Sequence, residues 1–255
     1  MGRLTAAATL LMFVFAACSS RADPTWERLL RMGTLRVGMD ASFPPFESIG
    51  ADGTPEGLDV DLAREIADRL DLRPQFVANL PYDGLYDALA AERVDVVVSA
   101  LVVDPSRMED YAYSISYFDA GPVLVSADEP RAVESIRDLA GHNLAVALGT
   151  EGDRQGREWA RRLSGLVVVQ YGTPTEALDA LQSGETDIAL VDHVSALQAM
   201  DGASDLVIIG EPVIDVPYAC AVRRDSVRLL QAINEALRAM EEDGTIEGLM
   251  SRWLR

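Results

Sequence analysis

From residue 33 onward, short apolar runs alternate with amphipathic stretches along the whole chain. Residues 35–39 (Leu-Arg-Val-Gly-Met) have the length and composition of a strand. Residues 58–70 then place Leu58, Leu62, Ala63, Ile66, Ala67 and Leu70 on one helical face, with acids and Arg opposite. Residues 75–77 predict a short strand, and 83–91 a helix whose Asp83 can cap its start. The nearly continuous apolar run 94–99 reads as a strand covered on both faces.

A second series follows the same rhythm. The pattern predicts a short helix over 135–140, a strand over 144–148, a helix over 154–163 and a strand over 166–169. Beyond these come a helix over 174–182 stopped by Gly184, a strand over 188–191, and a helix over 193–200. Helices over 227–240 and 245–254, broken at Asp243-Gly244, close the chain, and 26–32 forms a short amphipathic helix ending at Gly33. Strands alternating with helices indicate an α/β fold with largely parallel sheets.

The first residues break this rhythm. Met1-Gly2-Arg3 supplies a positive start, and the uncharged stretch from Leu4 to Ala17 is too short to span a bilayer comfortably but suits a secretory signal. Composition narrows the chemistry further. The 255 residues are 49% hydrophobic and 25% charged, with a net charge of −19, which disfavours nucleic acid and anionic lipid as partners. All 22 basic residues are Arg, so Schiff-base chemistry and a phosphate-loop lysine are excluded. The two cysteines are Cys18 and Cys220; the second sits in the apolar run Tyr218-Ala219-Cys220-Ala221-Val222 and reads as a packing thiol in a buried strand. Neither metal-ligand spacing nor a cofactor motif is present, and no cofactor is expected.

Several segments, in order, carry a resemblance. They are Leu35-Arg36-Val37-Gly38-Met39-Asp40-Ala41-Ser42-Phe43-Pro44-Pro45-Phe46-Glu47, Gly57-Leu58-Asp59-Val60-Asp61-Leu62-Ala63, and Tyr82-Asp83-Gly84-Leu85. Next come residues 95–99 leading to Arg107, then Leu148-Gly149-Thr150 and Ala189-Leu190-Val191-Asp192, and last Asp243-Gly244-Thr245-Ile246 with Trp253-Leu254. Together they resemble the amino-acid-type family of extracellular solute-binding proteins, with the periplasmic binding protein type II fold. Phe15-Ala16-Ala17-Cys18 similarly resembles a bacterial lipoprotein cleavage box, with Phe15 where Leu is usual; an ordinary signal peptide with an incidental Cys is the alternative.

The resemblance implies a signal peptide over 1–17, and a lipidated Cys18, tether and short helix over 18–32. It further implies two α/β lobes joined by two crossing strands with a ligand cleft between them. Lobe 1 would comprise 33–121 plus 216–255 and lobe 2 would comprise 122–215. Closure of the lobes about a hinge is the expected motion.

A zwitterionic amino acid needs a cationic fork for its carboxylate and an anion for its ammonium. Arg107 stands where the family places its carboxylate-binding Arg, and a guanidinium matches two carboxylate oxygens; otherwise it is a surface Arg after the turn-forming Asp104-Pro105-Ser106. Thr150 and the backbone N–H of Glu151 occupy a helix start, which presents free donors to an anion. Asp192 matches the family Asp that pairs with the ammonium, and it is equally placed to cap the helix that follows. Phe43 and Tyr82 match the aromatic positions flanking the ligand side chain, while Asp40 and Glu47 lie in the loop that tunes selectivity. Ala100 keeps a backbone carbonyl in the site. Val102 replaces the usual hydroxyl residue, so one hydrogen bond of about 1 kcal/mol is lost there. Asp40, Glu47, Asp104 and Glu151 together lean towards a polar or cationic ligand.

On these grounds the chain is expected to be the substrate-binding component of an ABC importer. It would be a monomer held outside the cell membrane or in the periplasm by its lipid, delivering its ligand to permease subunits without catalysis. An enzyme resembling cyclohexadienyl dehydratase is the alternative, with Glu151 as the conceivable protonated acid. A receptor module for a signalling partner is the other; the chain ends at Arg255 without a membrane span or kinase segment, so it would act through a separate protein.

Overall fold

The structure, a computed structural model, describes residues 23–127, 133, 135–200 and 205–254. The expected signal peptide, Cys18 and most of the tether lie outside the described residues. Two five-stranded sheets organise the rest, each covered by helices on both faces.

The first sheet orders its strands Arg73–Val77, Thr34–Gly38, Val96–Val97, Ala221–Arg223 and Tyr111–Tyr113. The first three run parallel, and Ala221–Arg223 is antiparallel to both its neighbours. The second sheet orders Val167–Tyr171, Asn143–Ala147, Ile188–Asp192, Pro122–Ser126 and Val207–Ile209. Here too three strands are parallel, while Pro122–Ser126 opposes its two neighbours. The mixed pattern lets the chain leave the first sheet, build the second and return. Two α/β lobes result.

Helix α1 (Pro24–Met32) starts at Asp23, whose carboxylate accepts the Trp26 N–H at 2.9 Å, and ends at Gly33 as the sequence predicts. Buried Asp95 ties it to the sheet, accepting from Arg28 and from Arg36 Nη2 at 2.7 Å. Helix α2 (Leu58–Arg69) buries Leu58, Leu62, Ala63, Ile66 and Ala67 as expected, but also Asp59, which the sequence reading set on the polar side. Asp59 lies four residues before Ala63 on the same ridge, and its carboxylate finds partners inside the protein.

Gly57, just before α2, has φ 131°, and a Cβ there would stand 2.2 Å from the Phe46 carbonyl. That close approach docks α2 on the first loop, with Leu58 N–H on the Pro45 carbonyl at 3.0 Å and Asp59 N–H on Phe46 at 2.9 Å. The loop itself is a small sheet of Ser42–Phe43, Glu47–Ile49 and Pro55–Glu56, which the hydrophobic pattern does not reveal because its strands are so short.

The helix expected over 83–91 is a 3-10 turn at Tyr82–Gly84 followed by α3 (Leu85–Ala90). Asp83 falls inside that turn and makes no cap, a correction to the sequence reading. In the second lobe α4 (Glu151–Ala160) begins earlier than expected, because Thr150 caps it. Helix α5 is Pro174–Gln182 and α6 is His193–Ala199. Helices α7 (Val227–Glu242) and α8 (Thr245–Trp253) return to pack on α2 in the first lobe, where Trp253 Nε1 donates to Asp61 at 2.9 Å.

Two segments run side by side between the lobes. Phe118–Asp119 pairs antiparallel with Pro217–Tyr218. Asp119 Oδ1 accepts both the Gly121 N–H at 2.8 Å and the Val216 N–H at 2.9 Å, so one carboxylate stitches the two connections together. They lie so close that a Cβ on Gly121 would stand 1.9 Å from the Ile214 carbonyl.

Candidate functional site

A cavity of about 340 Å³ opens between the first loop, the start of α3 and the joining strands. Phe43, Tyr82, Val102 and Tyr218 form its apolar walls; Asp40, Ser42, Glu47, Ser99 and the Ala100 backbone form its polar floor. Phe43 and Tyr82 are about half exposed although large and aromatic. Such residues left open to a concavity are what a ligand covers.

The floor is a hydrogen-bonded chain. Asp40 N–H donates to Ser99 Oγ at 2.9 Å, and the Ser99 hydroxyl donates to Glu47 Oε1 at 2.7 Å. The Ser42 hydroxyl donates to Asp40 Oδ1 at 2.7 Å. Beneath them, fully buried Asp59 accepts from the Ala100 N–H and from the Tyr117 hydroxyl at 2.9 Å. Ala100 sits at φ 41°, a left-handed conformation that a residue with a Cβ adopts only under constraint. Burial raises the Glu47 carboxyl far above the ordinary carboxylate range, and the nearby Asp59 charge adds to the effect. Burial raises Asp59 as well, opposed by the two donors it accepts. Tyr218 is pushed up to about 12 by its burial.

Arg107 stands in an adjoining cavity of about 450 Å³ that shares Tyr82 and Val102 with the first. Its guanidinium lies 4.3 Å from the centre of the Tyr86 ring, and its Nε is 3.4 Å from Asp104. Val102 borders both spaces, and its backbone bridges to Tyr218.

The expected second-lobe residues line neither cavity. The Thr150 hydroxyl donates to the Ala147 carbonyl at 2.7 Å while accepting the Asp153 N–H at 3.3 Å. Glu151 is held by Arg154, with Nε at 2.8 Å, and this pairing lowers its carboxyl below the usual range. That pairing favours its ionised form, whereas a dehydratase reading calls for a protonated acid there. Asp192 ends the buried strand Ile188–Asp192 and caps α6, accepting from Ser195 N–H at 2.9 Å and Ser195 Oγ at 2.7 Å. Its neighbour His193 donates from Nδ1 to the Asp119 carbonyl at 2.7 Å and stacks on Phe118, 5.1 Å between ring centres. His193 thus ties the start of α6 to the joining strands.

Of the four acids expected near the ligand, the structure places Asp40 and Glu47 on the first cavity, Asp104 on the adjoining one, and Glu151 on neither. Sequence reasoning missed Tyr218, Ser42, Ser99 and the buried Asp59. Among the described residues, no three His, Cys, Asp or Glu stand together as metal ligands, and no helix is long and apolar enough to cross a membrane.

Two α/β lobes joined by a pair of antiparallel strands, with a cavity beside that junction, define a periplasmic binding protein fold of type II. The chain belongs to the bacterial extracellular solute-binding proteins, family 3, whose model matches residues 35–255. It is 30% identical over 224 residues to the L-cystine-binding protein TcyJ of Escherichia coli strain K12, covering 87% of this chain and 82% of that one. It is also 30% identical over 228 residues to the histidine-binding periplasmic protein of Salmonella typhimurium, covering 86% of each. Among solved structures it resembles an ancestral cationic amino acid solute binding protein, AncCDT-1, with a TM-score of 0.67 and 28% identity. That match covers 91% of this chain and all of the other.

Proposed function

We propose that this chain captures a polar or cationic amino acid outside the cytoplasm and delivers it to the permease of an ABC importer by closing its lobes. The observation that carries this reading is the first-lobe cavity, with aromatic walls, an acidic floor and Arg107 directly beside it. The ligand side chain lies between Phe43 and Tyr82, near Asp40. Its carboxylate goes to Arg107, which leaves Tyr86 to meet it. The ammonium goes to the Ala100 carbonyl and, once the lobes close, to Asp192. The N–H groups at Thr150 and Glu151 complete the carboxylate site from the other side.

The names of the relatives support an amino acid as ligand, and the segments 33–121 and 216–255 against 122–215 supply the two moving bodies. In the same reading residues 1–17 direct export, Cys18 holds the mature monomer to the membrane through lipid, and binding needs neither cofactor nor covalent chemistry. Val102, which cannot hydrogen-bond, makes this site less demanding of an α-ammonium than one bearing a hydroxyl.

The test is a thermal-shift panel of the mature chain against the common amino acids, cystine and polyamines. A compound at a hundred times its Kd adds about 2.7 kcal/mol of stability. A shift with L-arginine, L-histidine or L-cystine bears the reading out. A panel without any shift, together with turnover of prephenate-like acids, would sink it in favour of an enzyme.

A further inference from the structure

The floor of the cavity rests on two buried acids whose hydrogen bonds do not close. Glu47 Oε1 takes the Ser99 hydroxyl proton, and Asp59 Oδ2 takes both the Ala100 N–H and the Tyr117 hydroxyl. The remaining oxygens, Glu47 Oε2 and Asp59 Oδ1, are buried and meet no protein donor. Yet the two carboxyl groups are neighbours: Ser99, which holds Glu47, and Ala100, which holds Asp59, are consecutive, and the Asp59 N–H donates at 2.9 Å to the carbonyl of Phe46, next to Glu47. Two carboxylates ionised side by side, away from water, repel each other and leave both oxygens unsatisfied. One proton between them removes both costs at once.

We propose that Glu47 and Asp59 form a carboxylic acid–carboxylate pair holding a single proton, and that through it Asp59 is a positioning residue that fixes Ala100 for ligand binding. The inference rests on the binding reading above. The proton belongs to Glu47: Asp59 accepts two donors on its other oxygen, which favours its anion, whereas Glu47 accepts one. Glu47 Oε2–H then donates to Asp59 Oδ1, and the ionised Asp59 holds the Ala100 N–H by a charge-assisted bond. That bond keeps Ala100, which lines the cavity, at φ 41°.

The titratable groups facing the pair are Asp40 from the first loop, Tyr82 from the turn before α3, and Tyr117, Tyr218 and Cys220 from the joining segments. None of these is a cation. Removing the shared proton would set a second negative charge against Asp59, push the two carboxylates apart and release Ala100. The pair thus holds its single proton around neutral pH: in acid Asp59, itself raised by burial, takes up a second proton, and in the alkaline range Glu47 gives up its own.

Glu47→Gln tests this directly, because its amide donates to Asp59 and accepts from Ser99 at every pH. In the ligand-free, isotope-labelled protein, the Ala100 amide resonance should move on alkaline titration of the wild type and stay fixed in Glu47→Gln. Binding is read with L-arginine, L-histidine and L-cystine as probes. Relative to wild type at neutral pH, Asp59→Ala should weaken binding by about tenfold or more, the loss of one strong hydrogen bond. The ratio of wild-type to Glu47→Gln affinity should fall as pH rises, and this ratio cancels the probe's own titration. Should Asp59→Ala fail to fold, Asp59→Asn serves instead. It keeps an acceptor for Ala100 but removes the charge that helps hold the proton on Glu47, so the Ala100 titration should move to lower pH than in the wild type. Superimposable Ala100 titrations in wild type and Glu47→Gln overturn the proposal. If none of the probes binds, the binding reading fails, and the Ala100 titration still decides whether the pair exists.

Discussion

Replacing Arg107 by Ala separates its two possible roles, because the structure sets a low ceiling on what the side chain contributes to stability. The guanidinium stacks on Tyr86 at 4.3 Å and lies 3.4 Å from Asp104, with the side chain 47% exposed. An exposed cation–π contact contributes about 0.5–1 kcal/mol, and an exposed ion pair about 0–1 kcal/mol, screened by salt. Losing both costs about 1 kcal/mol, or a fall of about 2–4 °C in the melting midpoint for a protein of this size. Ligand binding stands to lose far more, since one hydrogen bond to a charged group contributes about 1.5–3 kcal/mol. That converts to a rise in Kd of roughly tenfold to a hundredfold, and further if both arms of the fork engage. Calorimetric titration with the amino acid that shifts the wild type most, alongside melting of the ligand-free variant, measures both quantities. A Kd unchanged within about twofold would refute the carboxylate role, because it is smaller than the loss of even a weak hydrogen bond. A ligand-free midpoint lowered by more than about 8 °C would refute the stability argument.

Three further outcomes follow from particular contacts. Asp192→Asn keeps an acceptor for Ser195 and should melt within about 0.5 kcal/mol of wild type while losing at least about tenfold in ligand affinity; Asp192→Ala should lose about 1 kcal/mol of stability as well. Phe46 is fully buried, its ring centre 5.4 Å from Phe118 and 5.3 Å from Tyr218, so Phe46→Ala should cost about 3–5 kcal/mol in denaturant titration. Burial pushes the Cys220 thiol up to about 12, so it stays protonated through neutral and mildly alkaline pH. In a Cys18→Ser chain, Cys220 should react with a thiol reagent only once denaturant unfolds the protein, and fast labelling of the native form would contradict its burial.

The strand and helix series was legible because its core-facing positions repeat at regular intervals. Helix α5 matches its expected bounds, since Pro174 and Gly184 punctuate it on both sides. Short strands escaped: Ser42–Phe43 and Phe118–Asp119 are too brief for a period to register, and they are held by pairing with distant partners. Phe43, Tyr82, Ala100 and Val102 were readable as pocket residues from motif order, and all four line the first cavity. Tyr218 was not, because an apolar run such as 218–222 gives no sign of which member faces outward. Asp59 was hidden for the opposite reason: an acid in an amphipathic helix is expected in water, and only the partners Ala100 and Tyr117 explain its burial. Arg107 stood out by type and spacing, but its stacking on Tyr86 depends on a residue 21 positions away.

The stitch made by Asp119 bears on mechanics. Two separate tethers between bodies allow twisting, sliding and bending. A single carboxylate bonded to both Gly121 and Val216 locks the tethers into one ribbon, and His193 fastens the second body to the same residue. For the closure proposed above, these contacts leave rotation about that ribbon as the soft coordinate. In that proposed closure Asp192 approaches Ala100 along one arc, and a search through many relative orientations becomes a single swing.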